Sequence, residues 1–84
     1  MQSDHLAVLE GFEISPRFRQ TIEDRIARLE KDAAWDEAQI AHLFHQDHIR
    51  RQMRLVAMQR AEALRMRIFL DRATTRAPRP VTAQ

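Results

Sequence analysis

The chain lacks cysteine and tyrosine, and it has one glycine and three prolines among its 84 residues. Without cysteine, a disulfide framework and a thiolate-ligated metal site are both excluded. Neither glycine nor proline occurs between Arg17 and Ala77, and this span is rich in alanine, leucine, arginine, glutamate and glutamine. Because these residues favour helix, the composition predicts an all-α protein.

Long apolar runs are also missing. No stretch of about 18 apolar residues occurs, so the sequence predicts no transmembrane helix. Residues 1–15 lack the basic start and the apolar core of a secretory signal peptide. We therefore expect a cytoplasmic protein without a membrane partner.

The segment ISPRF marks the start of a first helix. Ser15 is placed to accept hydrogen bonds from the first-turn amides, and Pro16 suits the first helical position. Apolar residues at helical spacing then predict a helix over 16–33. Residues 3–11 are predicted to form a short helix, or alternatively an extended arm in which apolar residues alternate.

The segment AAWDEAQI predicts the start of a second helix over 37–72. Asp36 would be its N-cap and Gln39 would complete a capping box, while Trp35 and Ile40 are spaced as a hydrophobic staple.

Two further features concern the ends of this helix. The alternative to one continuous helix over 37–72 is a break near the segment HQDH, with Asp47 capping a third helix. Residues 73–84 contain two prolines and three threonines, which predicts a disordered basic tail after a single helical domain over 1–72.

The predicted second helix is about 54 Å long at about 1.5 Å per residue, and the first helix reaches only about half as far. An antiparallel helical hairpin would leave the segment after Arg51 with little cover, although this segment is apolar on more than one side. We therefore expect oligomerisation or a partner to complete a bundle. The predicted partner-binding residues are Ile49, Met53, Leu55, Val56, Met58, Leu64, Met66, Ile68 and Phe69.

Charge is divided unevenly along the chain. Residues 1–47 hold five basic against ten acidic residues (net −5), and residues 48–84 hold nine against two (net +7). The two halves either neutralise each other within the fold or offer a basic surface to an acidic partner. Six arginines are predicted to form the rim of the protein interface or, alternatively, to contact nucleic acid: Arg50, Arg51, Arg54, Arg60, Arg65 and Arg67.

Three histidines lie at positions 42, 45 and 48, and two of them, His42 and His45, are weak metal candidates. His42 and His45 lie three residues apart, but neither has an acidic residue three or four positions away, and zinc needs three or four protein ligands. The sequence therefore predicts no metal and no cofactor. We also expect no enzyme, because the nucleophiles and bases lie in segments with no reason to converge.

Residues 22–32 (IEDRIARLEKD) and 36–43 (DEAQIAHL) are similar to the first part of short bacterial helical-hairpin proteins of the YdcH type. The lysine-rich second helix of those proteins has no counterpart in this chain. Nothing is carried over from those proteins to this chain.

Together these patterns predict a small non-catalytic adaptor or regulatory subunit that binds itself or another protein. The alternative function is binding of nucleic acid phosphates by the basic C-terminal half.

Overall fold

The computed structural model describes residues 11–76. It is mostly helical, and its two long helices pack against each other. The elements in chain order are strand β1 (Phe12–Ile14), helix α1 (Pro16–Gln39), a 3-10 turn (Ile40–His42), helix α2 (Gln46–Arg72) and strand β2 (Ala73–Thr75). The predicted helix or arm over 3–11 lies almost entirely outside the described residues.

Helix α1 begins as its sequence predicts. Ser15 has extended backbone, and its Oγ accepts a hydrogen bond of 3.1 Å from the backbone N–H of Phe18. Pro16 occupies the first helical position, where its missing N–H removes no intrahelical hydrogen bond. The start of the helix is thus encoded locally.

The end of α1 differs from the prediction. The helix continues through Gln39 instead of ending near residue 33, so Asp36 is an interior helical residue and not an N-cap. Its carboxylate Oδ2 accepts a 2.9 Å hydrogen bond from Gln59 Nε2, and its backbone oxygen accepts another from Gln52 Nε2. Hydrogen bonds from α2 therefore hold Asp36 inside helix α1, although the local sequence pattern predicted an N-cap.

The turn between the helices lies at Ile40–His45. A 3-10 turn leads into extended backbone at Leu43, and α2 begins at Gln46 with His45 as an N-cap that makes no side-chain hydrogen bond. The alternative of a break near HQDH was closer to this position, although Asp47 lies in the first turn of α2 and does not cap it. The two helices consequently have similar lengths, 24 and 27 residues.

A row of buried or half-buried residues runs along each helix at alternating intervals of three and four, the spacing of a coiled-coil seam. In α1 the row is Arg19, Ile22, Ile26, Leu29, Ala33, Asp36 and Ile40 (the last in the 3-10 turn), and in α2 it is Ile49, Gln52, Val56, Gln59, Ala63, Met66 and Leu70. Because the first helix is longer than predicted, Val56 and Ala63 are buried within the chain.

The apolar core is small and concentrated near the strands. Ile14, Ile26, Ala63 and Leu70 form its buried cluster. Phe69 packs beside them, with its ring centroid 4.7 Å from that of Phe12 and 6.2 Å from that of Phe18. Phe12 and Ile14 thus cover one end of the helix pair.

The strands form a parallel pair that the all-α prediction did not include. Phe12 lies opposite Ala73 and Ile14 opposite Thr75, and the backbone N–H of Arg76 donates to the oxygen of Ile14 at 2.8 Å. The tail predicted from residue 73 therefore begins instead with an ordered strand, and its residues 77–84 lie outside the described range. Apolar and β-branched side chains fit this pairing, since their burial against the helices favours extended backbone.

Gly11 offers a direct test of this end of the fold. Its φ is 98°, and a Cβ added there would lie 2.6 Å from the backbone oxygen of Arg72. We expect Gly11→Ala to lower the free energy of unfolding by about 1–3 kcal/mol through backbone strain and this close approach. Thermal denaturation followed by circular dichroism measures the loss.

Lys31→Ala is the matched control, because Lys31 is exposed on α1 and alanine is also a good helix former. Equal melting temperatures for Gly11→Ala and wild type would contradict the close packing of Gly11 against α2.

Candidate functional site

Two pairs of charged side chains join the helices on one face. Arg60 Nη2 lies 2.8 Å from Glu37 Oε1, and a second hydrogen bond of 3.1 Å joins Nη1 to Oε2. Arg67 contacts Glu30 in the same manner, with Nη2 2.7 Å from Oε1 and Nε 2.9 Å from Oε2. The glutamates are seven residues apart on α1 and the arginines seven apart on α2, so both pairs lie on one broad side of the molecule. We call this side the paired face.

The guanidinium of Arg60 lowers the pKa of the Glu37 carboxyl, first by hydrogen bonding and then by its charge. Reciprocally, Glu37 raises the pKa of Arg60. Both side chains are about half exposed, so water weakens the interaction, and its main effect is on the alignment of the helices. At these positions the acidic first half of the chain neutralises the basic second half.

Shallow depressions follow one another along the paired face. Near the turn, one is lined by Glu37, Ile40, Ala41, Met53, Val56, Ala57 and Arg60. A second, in the middle, is lined by Glu30, Arg60, Ala63, Leu64 and Arg67. A third, toward the strands, is lined by Arg19, Glu23, Ile26, Ala27, Glu30, Arg67, Leu70 and Asp71. Shared residues make the three depressions continuous.

An apolar ridge of α2 borders these depressions, formed by Met53, Ala57, Leu64 and Ile68 at helical spacing. Its three large side chains are 55%, 57% and 44% exposed, in chain order. On the α1 side, helical spacing places four exposed alanines beyond the glutamates, and we call them the alanine groove: Ala27, Ala34, Ala38 and Ala41. Large side chains on one edge and small ones on the other give the paired face its shape.

The structure divides the predicted partner-binding residues into two groups. Val56 is buried, Met66 and Phe69 pack against the core, and Ile49 is half-buried. The remaining five are exposed: Met53, Leu55, Met58, Leu64 and Ile68. Helical spacing places Leu55 and Met58 away from the ridge, on another side of α2.

Other exposed apolar residues were not among the predicted binding residues. Trp35, predicted as a hydrophobic staple, is instead 67% exposed on α1, because the helix continues past it. Phe44 in the turn is 93% exposed. The alanine groove was also missed, although the alanines at 27, 34 and 41 recur every seven residues in the sequence.

The six arginines of the predicted basic rim also fall into groups, which differ in the carboxylates that they contact. Arg60 and Arg67 bind Glu37 and Glu30, as described above. Two others contact carboxylates of their own helix, Arg50 with Asp47 at 3.5 Å and Arg65 with Glu62 at 3.8 Å.

The two remaining arginines of the rim differ from these four. Within residues 11–76, Arg51 and Arg54 have no carboxylate oxygen within 4 Å. They are exposed on α2 and contribute positive charge that no carboxylate of the described residues neutralises.

The histidines lie at the turn. His42 ends the 3-10 turn, and the rings of His45 and His48 meet edge to face with centroids 5.2 Å apart. In the described part of the chain, no three histidine, aspartate or glutamate side chains are grouped as ligands for one metal ion. Neither helix within residues 11–76 is long and apolar enough to cross a membrane.

Comparison of the chain with protein-family models, curated proteins and solved structures found no match. The chain is therefore assigned to no family, and the likeness of residues 22–43 to proteins of the YdcH type is not supported by these comparisons. Evidence on function comes from the faces of the helix pair.

The Glu37–Arg60 pair predicts a pH dependence of stability. Because the pKa of Glu37 is lower in the folded than in the unfolded chain, the folded state releases this proton more readily. Its stabilisation is complete above the ordinary carboxyl pKa and is lost as pH falls through the lowered value. We expect Glu37→Gln to melt below wild type at pH 7 and to approach it at pH 3.

Glu23→Gln is a matched control, since Glu23 pairs with Arg19 within α1, and within residues 11–76 no hydrogen bond or ion pair joins it to α2. Melting curves at pH 7, 5, 4 and 3 compare the three proteins. A constant difference between Glu37→Gln and wild type at all four pH values would contradict the assigned role of this pair.

Proposed function

We propose that this protein is a small non-catalytic adaptor or regulatory subunit that binds protein through the exposed apolar side chains of α2. In this proposal the two helices form an antiparallel hairpin, and the partner completes a bundle. The observation that carries the proposal is the exposure of Met53, Leu64 and Ile68 on one side of one helix. Apolar patches rimmed by polar residues are characteristic of protein interfaces.

Charge on the paired face also favours a protein partner. The two arginines at its centre are already bound to glutamates at 2.7–2.8 Å. A nucleic acid would have to compete with these carboxylates, whereas an apolar partner surface covers the pairs without breaking them. The pairs then act as polar elements that set alignment more than affinity.

The environment of the charged residues supports a non-catalytic role. Within residues 11–76, no polar or charged residue is buried. Catalytic acids and bases commonly depend on burial to shift their pKa values toward neutrality. The described side chains thus lack this means of activation.

A second candidate function is nucleic acid binding, favoured by Arg51 and Arg54. These arginines have no carboxylate nearby within the described residues, and they lie in the first half of a helix with seven arginines and three acidic residues. Phosphate contacts from this side of α2 would leave the paired face available. Such binding would weaken steeply with salt.

Affinity capture from an extract of the native host tests the protein-binding proposal. Tagged wild type is compared with Leu64→Gln/Ile68→Gln after nuclease treatment and a high-salt wash. We expect wild type to retain a protein, either untagged copies of this chain or another species, and the variant to lose at least 90% of it. Met58→Gln should retain as much as wild type, because Met58 is exposed on another side of α2.

Co-purified nucleic acid is the contrary result. It would appear as a raised ratio of absorbance at 260 and 280 nm that high salt removes. If that ratio falls in Arg51→Gln/Arg54→Gln while no protein is retained by wild type, the second candidate function replaces the first.

A further inference from the structure

The paired face is open because the described helices form a single layer. The smallest principal extent of the Cα atoms is 12 Å, less than the about 13–15 Å that the Cα atoms of two packed helix layers would span. Helical domains normally bury their apolar faces between at least two layers. The three large ridge residues, each more than 40% exposed, lie where a second layer would be.

We propose that a second copy of this chain supplies that layer, with the ridge of each copy packed into the alanine groove of the other. This inference rests on the proposed protein-binding function and names its partner. The product is a four-helix bundle with a two-fold axis parallel to the helices, lying between the two layers. In this arrangement each α2 packs on the partner's α1.

The spacing of the ridge matches that of the groove. Met53 to Ile68 covers 15 residue steps and Ala41 to Ala27 covers 14, so both extend about 20 Å at about 1.5 Å per residue. Rotation about an axis along the helices keeps every residue at its own level. Ridge side chains therefore enter grooves formed by small side chains, the usual means of close helix packing.

The depressions lie at the same levels as the ridge residues. Met53 is level with the depression near the turn, and Leu64 is level with the middle one. Ile68 follows Leu64 by one turn and is level with the third, whose lining includes its neighbours Arg67 and Leu70. Three large side chains of one copy thus face three depressions of the other, whereas a two-fold axis across the helices would place ridge against ridge.

Charge permits this self-association. A surface that meets its own copy brings like charges together unless they are neutralised. On the paired face Arg60 and Arg67 are each bound by a glutamate of the same chain. The centre of the interface is therefore close to neutral, as a two-fold contact requires.

The area is sufficient for a stable dimer. A face about 36 Å long and about 20 Å wide, from two helices of about 24 residues, covers about 700 Å². Two copies would bury about 1,400 Å² in total, within the range of specific protein interfaces. Covering the ridge would also compensate for the small core of the single chain.

Sedimentation equilibrium of the purified chain, over a range of concentrations, tests the dimer. We expect wild type to be dimeric and Leu64→Arg to raise the dimer dissociation constant by about 100-fold or more, because a charge would be buried without a partner. Met58→Arg is the matched control: Met58 is 67% exposed on another side of α2, so this variant should stay dimeric. Circular dichroism checks that each variant keeps its helicity.

Crosslinking tests the geometry, and the absence of cysteine makes single-cysteine variants clean. A short bismaleimide should join chains in a mixture of Ala34→Cys and Leu64→Cys. Neither variant alone should crosslink efficiently. The proposed axis would be overturned if two Leu64→Cys chains crosslink to each other while no crosslink joins an Ala34→Cys chain to a Leu64→Cys chain.

Other outcomes separate this inference from the proposed function. A wild type that stays monomeric at high concentration overturns the second-copy proposal, as does a dimer disrupted by Met58→Arg and not by Leu64→Arg. Retention of a different host protein in the capture experiment, lost in Leu64→Gln/Ile68→Gln, would then still support protein binding. Failure of both experiments would reject both proposals.

Discussion

The structure depends on the contact between two rows of side chains that recur at alternating intervals of three and four. This contact is mixed in chemistry. Toward the strands it is mostly apolar, with Ile26 and Leu70 in the buried cluster and Arg19 at its end. Toward the turn, Asp36 accepts hydrogen bonds from Gln52 and Gln59. Polar residues at seam positions reduce stability but specify how helices align. Here they restrict α2 to one register along α1, and the Glu–Arg pairs reinforce the same alignment.

A consequence of this register concerns Gln59, whose Oε1 is buried without a hydrogen-bond partner among the described residues. Its Nε2 faces the carboxylate of Asp36 at 2.9 Å, so exchanging the two ends of the amide would bring two oxygens together. The orientation with an unpaired oxygen is therefore the better one. Leaving the Gln59 Oε1 atom without a partner destabilises the fold by about 1–3 kcal/mol. The same residue fixes the alignment of the two helices through its hydrogen bond to Asp36.

Local signals in the sequence were sufficient for some features of the fold. The cap at Ser15 and the proline after it predicted the start of α1 because they act within one turn. The end of that helix was predicted wrongly because the capping pattern around Asp36 is also compatible with a helix interior. What decides between them is the pairing with Gln52 and Gln59, which lie 16 and 23 residues away and cannot be recognised from local spacing.

The same error affected the candidate site. The sequence analysis placed the turn at 34–36, so the first helix was too short to cover α2 beyond Arg51. Val56 was therefore assigned to the partner surface, although it is buried within the chain. Met53, Leu64 and Ile68 are exposed, since their helical positions lie beside the seam. The groove of alanines could have been found from its repeat of seven, but small residues give a weak signal in a sequence rich in helix formers.

The parallel pairing of β1 with β2 affects the order in which the molecule assembles. Phe12 and Ala73 are neighbours although 61 positions separate them, and closing so long a loop costs conformational entropy before any contact forms. The two helices, by contrast, meet across a short turn. We expect the helices to associate first and the strands to join last, so that the strand end is also the first part to open. Opening would uncover Phe69 while α1 and α2 remain packed near the turn, giving the molecule a partly unfolded state confined to one end.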